Sequence, residues 1–173
     1  MAELETGPVP GQGPDATPAD RHWLAESIRL SRCCPPSDTA FSVGALIVGS
    51  DGTVLATGYS RQHDQHDHAE EVALAAVGPR DPRLATATLY SSLEPCRFRA
   101  SRPRPCAELI AGSGLRRVVI AWLEPPVFAP GGGAGLLRDA GRTVVEVPSL
   151  AAAARAVNAA VLPGWAGPGA ELP

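Results

Sequence analysis

The chain has 173 residues, a length that fits one domain around one hydrophobic core and argues against a two-domain enzyme. Apolar residues make up 45% and charged residues 19%, too apolar a mixture for a disordered chain. A net charge of -3 argues against a general nucleic-acid binder, whose footprint is a strongly basic face, and leaves room only for a local basic site. No apolar run reaches the ~18–20 residues of a membrane span, and Glu3 and Glu5 stand where an export signal would carry basic charge. A soluble protein of the cytoplasm is expected, with no membrane and no nucleic acid among its partners.

Residues 1–16 are rich in glycine and proline and read as a disordered tail. Thr17 as N-cap, Pro18 in the first turn and Asp20 behind it predict a helix to about Arg32. Cys33 and Cys34 before Pro35-Pro36 end that helix against the core. Phe41 to Val48 and Thr53 to Tyr59 read as a hairpin around Ser50-Asp51-Gly52. A polar segment, Arg61 to Asp67, leads into a helix from about His68 to Val77, followed by a strand from Thr86 to Ser91. Cys106 to Ala111 reads as a short helix, Arg117 to Trp122 as strand, Gly135 to Ala140 as helix and Thr143 to Val147 as strand. The last helix spans Leu150 to Leu162, and residues 163–173 form a second disordered tail. Gly131-Gly132-Gly133 resembles no phosphate loop and reads as a flexible turn. The alternation predicts an α/β domain over residues 17–162, with its last two strands parallel across a helical crossover.

Three separated segments carry the chemistry: His68-Ala69-Glu70, Pro95-Cys96 and Pro105-Cys106. One imidazole and two thiolates are the ligand inventory of a catalytic zinc ion, one per chain, with a fourth position open to water. Each ligand is expected at the start of a helix, where the backbone favours the thiolate form of Cys96 and Cys106. His68 and Glu70, two residues apart, converge only at a helix tip, which places Glu70 beside the metal-bound water as a general base rather than as a ligand. The alternative is a closed structural site in which Cys33 or Cys34 is the fourth ligand and the protein only binds; His63 and His66 read as solvated.

Ten positions separate Cys96 from Cys106, ~15 Å along a helix and too far for one ion, so the chain between them must loop out. That loop holds Arg97, Arg99, Arg102 and Arg104 and no acid. Beside a metal it suggests an anionic substrate, most simply a phosphate monoester bound by Arg99, Arg102 and Arg104; the rival is a solvated surface.

His68-Ala69-Glu70 followed by Pro95-Cys96 and Cys106 resembles the signature of the cytidine-deaminase-like zinc deaminases. The nine residues between the cysteines look most like the fungal type of riboflavin-biosynthesis pyrimidine deaminase. Cys34-Pro35-Pro36, Thr57-Gly58-Tyr59-Ser60-Arg61 and Glu124-Pro125 with Phe128 extend the resemblance over roughly residues 20–147. Asp38-Thr39-Ala40-Phe41 stands where bacterial members usually carry an Asn-Pro motif. The resemblance implies a three-layer α/β/α fold with a mixed five-stranded sheet and a homodimer or larger assembly. It also implies hydrolytic removal of an amine from an aminopyrimidine, with Thr39, Phe41, Tyr59, Ala69 and Glu94 around the base. The expected substrate is the phosphorylated diaminopyrimidine, ribosylamino or ribitylamino, of riboflavin biosynthesis. Cytosine, deoxycytidylate, guanine or a specialised-metabolite pyrimidine are the alternatives.

Overall fold

The computed structural model describes residues 15–164, so the two expected tails lie almost wholly outside the described residues. The elements in chain order are α1 (Pro18–Ser31), β1 (Gly44–Val48), β2 (Val54–Tyr59), α2 (Ala69–Val77), β3 (Thr88–Ser91), α3 (Cys106–Ala111), β4 (Arg117–Ile120), α4 (Gly133–Asp139), β5 (Thr143–Glu146) and α5 (Ala151–Val157). The sheet runs β2-β1-β3-β4-β5. β1 is antiparallel to both neighbours, whereas β3, β4 and β5 are parallel, as the helical crossover predicts.

Strand alternation builds the layers. Ala45, Ile47, Leu89, Val118, Ile120 and Val144 face a core shared with α2, α3 and α4. Their neighbours Leu46, Val48, Tyr90, Val119 and Val145 face the core under α1 and α5. Period-two alternation in strands buried on both faces produces this three-layer packing.

Thr17 caps α1 as expected, its Oγ1 accepting the Asp20 N–H at 3.1 Å while Asp20 accepts the Thr17 N–H at 2.8 Å. Asp20 is buried beneath the helix, where Arg117 of β4 meets both carboxylate oxygens at 2.7 and 2.8 Å and the Tyr90 hydroxyl donates at 3.1 Å. Burial alone would raise the Asp20 pKa, but hydrogen bonds from Arg117 and Thr17 outweigh it and hold the carboxyl at about 2.

Three expectations are corrected. β1 begins at Gly44, because the Ser42 and Val43 N–H groups leave the ladder for Asn158 Oδ1 and Ser60 Oγ. The final helix is interrupted: α5 stops at Val157, where Asn158 turns its amide onto Ala154 O and Ser42 O. The triple glycine is no loose turn, since a Cβ on Gly133 would stand 1.7 Å from Pro95 O. Only glycine lets the start of α4 lie against the Pro95-Cys96 backbone.

Candidate active site

α2 packs so closely on β2 that a Cβ on Gly58 would lie 2.3 Å from Ala69 O, which fixes the helix tip over the sheet. His68 is the extended residue preceding α2, and Glu71 Oε2 accepts its N–H at 3.4 Å. Cys106 opens α3. Cys96 departs from expectation: it lies on an irregular segment beyond the C-terminal end of β3, not at a helix start. The help expected from its own helix comes from α3 instead, because the Cys106 N–H donates to Cys96 Sγ at 3.3 Å.

His68 Nδ1 is 3.5 Å from each of Cys96 Sγ and Cys106 Sγ. A tetrahedral ion with Zn–S near ~2.3 Å and Zn–N near ~2.0–2.1 Å spaces such donors by about 3.5 Å, so the three fit zinc. Among the described residues this is the group of His, Cys, Asp or Glu side chains able to share a metal. Cys33 is exposed, and Cys34 Sγ donates to Val43 O at 3.3 Å, so neither supplies a fourth ligand. The two ligand thiols are unequal. A hydrogen bond from the Cys106 thiol, opposed by burial and reinforced by His68, pulls Cys96 down to about 4. The same bond, together with burial, pushes Cys106 well above the usual thiol range.

Glu70 is buried in the first turn of α2, and Ser91 at the end of β3 donates to its Oε1 at 2.8 Å. Burial raises its pKa, opposed by the neighbouring His68. Glu70, His68 and Cys96 open onto a cavity of about 500 Å³, a size that accepts a nucleotide-sized ligand. Thr39, Phe41, Glu94 and Arg99 also line it, whereas Tyr59, Ala69, Arg102 and Arg104 do not. Tyr59 sits in the β1–β2 ladder opposite Gly44, and Ala69 is buried in the core beneath α2. Phe41 packs edge-to-face on Phe128, with ring centroids 4.9 Å apart.

The arginines of the looped-out segment have partners that lie far away in sequence. Arg99 donates to Glu71 Oε2 at 2.9 Å and to His66 O, and Arg102 pairs with Asp64, Asp67 and Glu71 at 3.4–3.5 Å. Arg104 turns away to donate to Glu108 O at 2.9 Å. Of the three, Arg99 alone reaches the cavity; its side chain is 2% exposed, and its Nη1 is buried without a partner.

Glu94, expected to orient a base, has both oxygens engaged by main chain: Oε2 accepts the Glu124 N–H at 2.9 Å and Oε1 the Ala134 N–H at 2.7 Å. Two features around the site escape sequence reasoning. Glu71 holds Arg99, Arg102 and the tip of α2 together. Glu124 lines the cavity with Oε2 buried and unpartnered, and burial, then the charges of Cys96, Glu94 and Glu70, push its carboxyl up to about 8. The Glu124-Pro125 resemblance was the available signal for it.

An imidazole and two thiols gathered beyond β3, beside a buried carboxyl on a mixed α/β sheet, define the class: a zinc protein of the cytidine-deaminase fold. Residues 18–122 match the family described as "Cytidine and deoxycytidylate deaminase zinc-binding region", and the chain belongs to that family. Its cofactor is zinc. The chain is 37% identical over 126 residues to the diaminohydroxyphosphoribosylamino-pyrimidine deaminase of Schizosaccharomyces pombe, covering 72% of this chain and 31% of that protein. It is 39% identical over 100 residues to the riboflavin biosynthesis protein RibD of Aquifex aeolicus, covering 58% of this chain and 26% of the relative. The chain thus spans about a third of these relatives or less. Acinetobacter baumannii RibD superposes with a TM-score of 0.72 at 29% identity, over 83% of this chain and 39% of that one. The Aspergillus oryzae Rib2 deaminase, at 23% identity and a TM-score of 0.68 over 80% of this chain and 89% of that one, shares the fold. Among the described residues no helix is long and apolar enough to cross a membrane.

Proposed function

We propose that the chain is a zinc-dependent aminohydrolase acting on an aminopyrimidine, and that its substrate is the phosphorylated diaminopyrimidine, ribosylamino or ribitylamino, of riboflavin biosynthesis. His68, Cys96 and Cys106 hold the zinc. When bound, that ion supplies Lewis-acid activation of the attacking water. Glu70 would receive one proton of that water and deliver it to the ring nitrogen, then take the second proton from the hydroxyl now on the ring carbon and pass it to the departing amine as the carbon–nitrogen bond breaks. Ser91 fixes the carboxyl by Oε1, and burial raises the Glu70 pKa above the usual carboxylate range, which favours its carrying a proton between steps. The observation carrying this reading is the Glu70 carboxyl buried beside the cluster of His68, Cys96 and Cys106, with His68 and Cys96 opening onto the same cavity as Glu70.

Arg99 supports the phosphate, because its buried Nη1 lacks a partner on the cavity wall. Arg102 brings a positive charge behind it, already shared with three acids. The exposed Phe98, Val127 and Phe128 support a homodimer or larger assembly closing over the cavity mouth, which light scattering tests. A cytoplasmic location goes with the same biosynthetic role.

The test is ammonia release from paired phosphorylated and unphosphorylated pyrimidines, cytosine, deoxycytidylate and guanine included. The phosphorylated diaminopyrimidine should be turned over best. Glu70→Gln should keep its zinc and lose ~10²–10⁴ in turnover, the share of general acid–base catalysis. Normal turnover by that variant, or preference for an unphosphorylated base, overturns the reading.

A further inference from the structure

Glu124 stands just beyond β4 with its main chain fixed on both sides. Its N–H is held by Glu94 at 2.9 Å, and a Cβ on Gly131 would come within 2.7 Å of its carbonyl oxygen. The side chain has no comparable restraint. Oε2 is shut off from solvent without a hydrogen-bond partner, on the wall of the cavity that Glu70 and Cys96 also line. An unpaired, desolvated carboxyl oxygen destabilises a fold, and native proteins retain few of them without a ligand or a catalytic reason.

The cavity contains two such orphans, and they differ in kind. Arg99 Nη1 is a donor and suits an anion, whereas Glu124 Oε2 is an acceptor and suits an N–H. The edge-to-face Phe41 and Phe128 lie on the same lining and offer a face to a flat ring. A carboxyl group keeps an acceptor oxygen whether or not it carries a proton. We propose that Glu124 is a specificity-determining residue whose carboxyl accepts a hydrogen bond from an N–H of the pyrimidine ring, so that the cavity selects rings bearing that N–H. The proposal deepens the deaminase reading and rests on it.

The test compares the zinc-loaded wild type, Glu124→Ala and Glu124→Gln on two pyrimidines: the one turned over best and its ring-N-methylated counterpart. Glu124→Ala should raise KM for the N–H substrate about 10–100-fold, the range of a lost hydrogen bond to a charged or buried group, with a smaller change in kcat. Selectivity over the methylated ring should fall toward unity in Glu124→Ala and survive in part in Glu124→Gln, which keeps an acceptor oxygen. Zinc content and thermal midpoint report whether a variant is intact. Wild-type selectivity in Glu124→Ala overturns the assignment. If the wild type releases no ammonia from any pyrimidine, the deaminase reading itself fails. Equilibrium binding of the phosphorylated diaminopyrimidine and its ring-N-methylated counterpart to the zinc-loaded wild type then decides Glu124, and equal affinity for both overturns it.

Discussion

Glu94 and Glu124 are joined by a hydrogen bond from main chain to side chain: the Glu124 N–H donates to Glu94 Oε2 at 2.9 Å, while Glu94 Oε1 accepts the Ala134 N–H at 2.7 Å. One buried carboxylate thereby braces the segment after β4 and the start of α4 against the segment that carries Cys96. In Glu94→Gln the amide nitrogen faces an N–H where an acceptor is needed, leaving one donor orphaned; Glu94→Ala orphans both. The expected loss is about 1–3 kcal/mol per orphaned N–H, read from urea denaturation. The rise in KM should exceed any loss of zinc, because Glu124 moves while the three metal donors stay.

Gly133→Ala should destabilise the domain by at least the ~1–3 kcal/mol of ordinary overpacking, because its Cβ would sit 1.7 Å from Pro95 O. Zinc affinity should weaken with it, since Pro95 precedes Cys96. Gly135 of the same helix is the internal control. It is exposed, and a Cβ there meets nothing within 4 Å, so Gly135→Ala should stabilise by roughly 0.5–1 kcal/mol. Thermal denaturation of the two variants, run beside zinc analysis, separates the outcomes.

Asp20 gives the fold an acid limit. Its carboxyl sits at about 2 in the folded state against an ordinary 3.8, because the Arg117 and Thr17 hydrogen bonds outweigh the burial that would raise it. The stabilisation is therefore fully present above about pH 4 and is lost as pH falls through 2, amounting to about 2 kcal/mol. Asp20→Asn should be less stable than wild type at neutral pH by at least that amount, because Arg117 loses its charged partner. The gap should narrow in acid. Urea midpoints across that range check both statements.

The paired thiols predict an unequal titration. In metal-free protein with Cys33 and Cys34 replaced by serine, thiolate absorbance should show one ionised thiol between about pH 5 and pH 8. Cys96, pulled down to about 4, supplies it, while Cys106 stays protonated. Cys96→Ala should abolish the signal in that range. Two thiols ionising together near the ordinary range would contradict the inequality.

The gathering of His68, Cys96 and Cys106 was legible in the sequence because zinc chemistry restricts the residue types, and because the Cys96–Cys106 interval rules out a continuous helix. The layers were legible because strand alternation is local. What stayed hidden depends on contacts across sequence. Arg102 looked free for phosphate, since its own loop holds no acid, but Asp67 and Glu71, 35 and 31 residues earlier, neutralise it. Gly133 looked flexible because nothing local says that Pro95 O lies beneath it. Glu94 looked like a base-orienting residue, and only the return of the chain after β4 shows which N–H groups occupy it.

The excursion between the two cysteines is closed at its base by the Cys106 N–H on Cys96 Sγ at 3.3 Å and the Ala107 N–H on Cys96 O at 3.1 Å. Those two bonds, rather than the nine residues above them, set the distance between the thiols. The length of the arch is thereby uncoupled from the spacing of the thiols, whereas Arg99 and Arg102 within it stay tied through Glu71 to the tip of α2. Away from Arg99 and Arg102, residues can be inserted, deleted or exchanged there at the slowly growing entropy of a longer loop, leaving the thiols in place. Evolution or an engineer therefore has a position at which the far end of a ligand can be renegotiated while the cluster of His68, Cys96 and Cys106 is inherited intact.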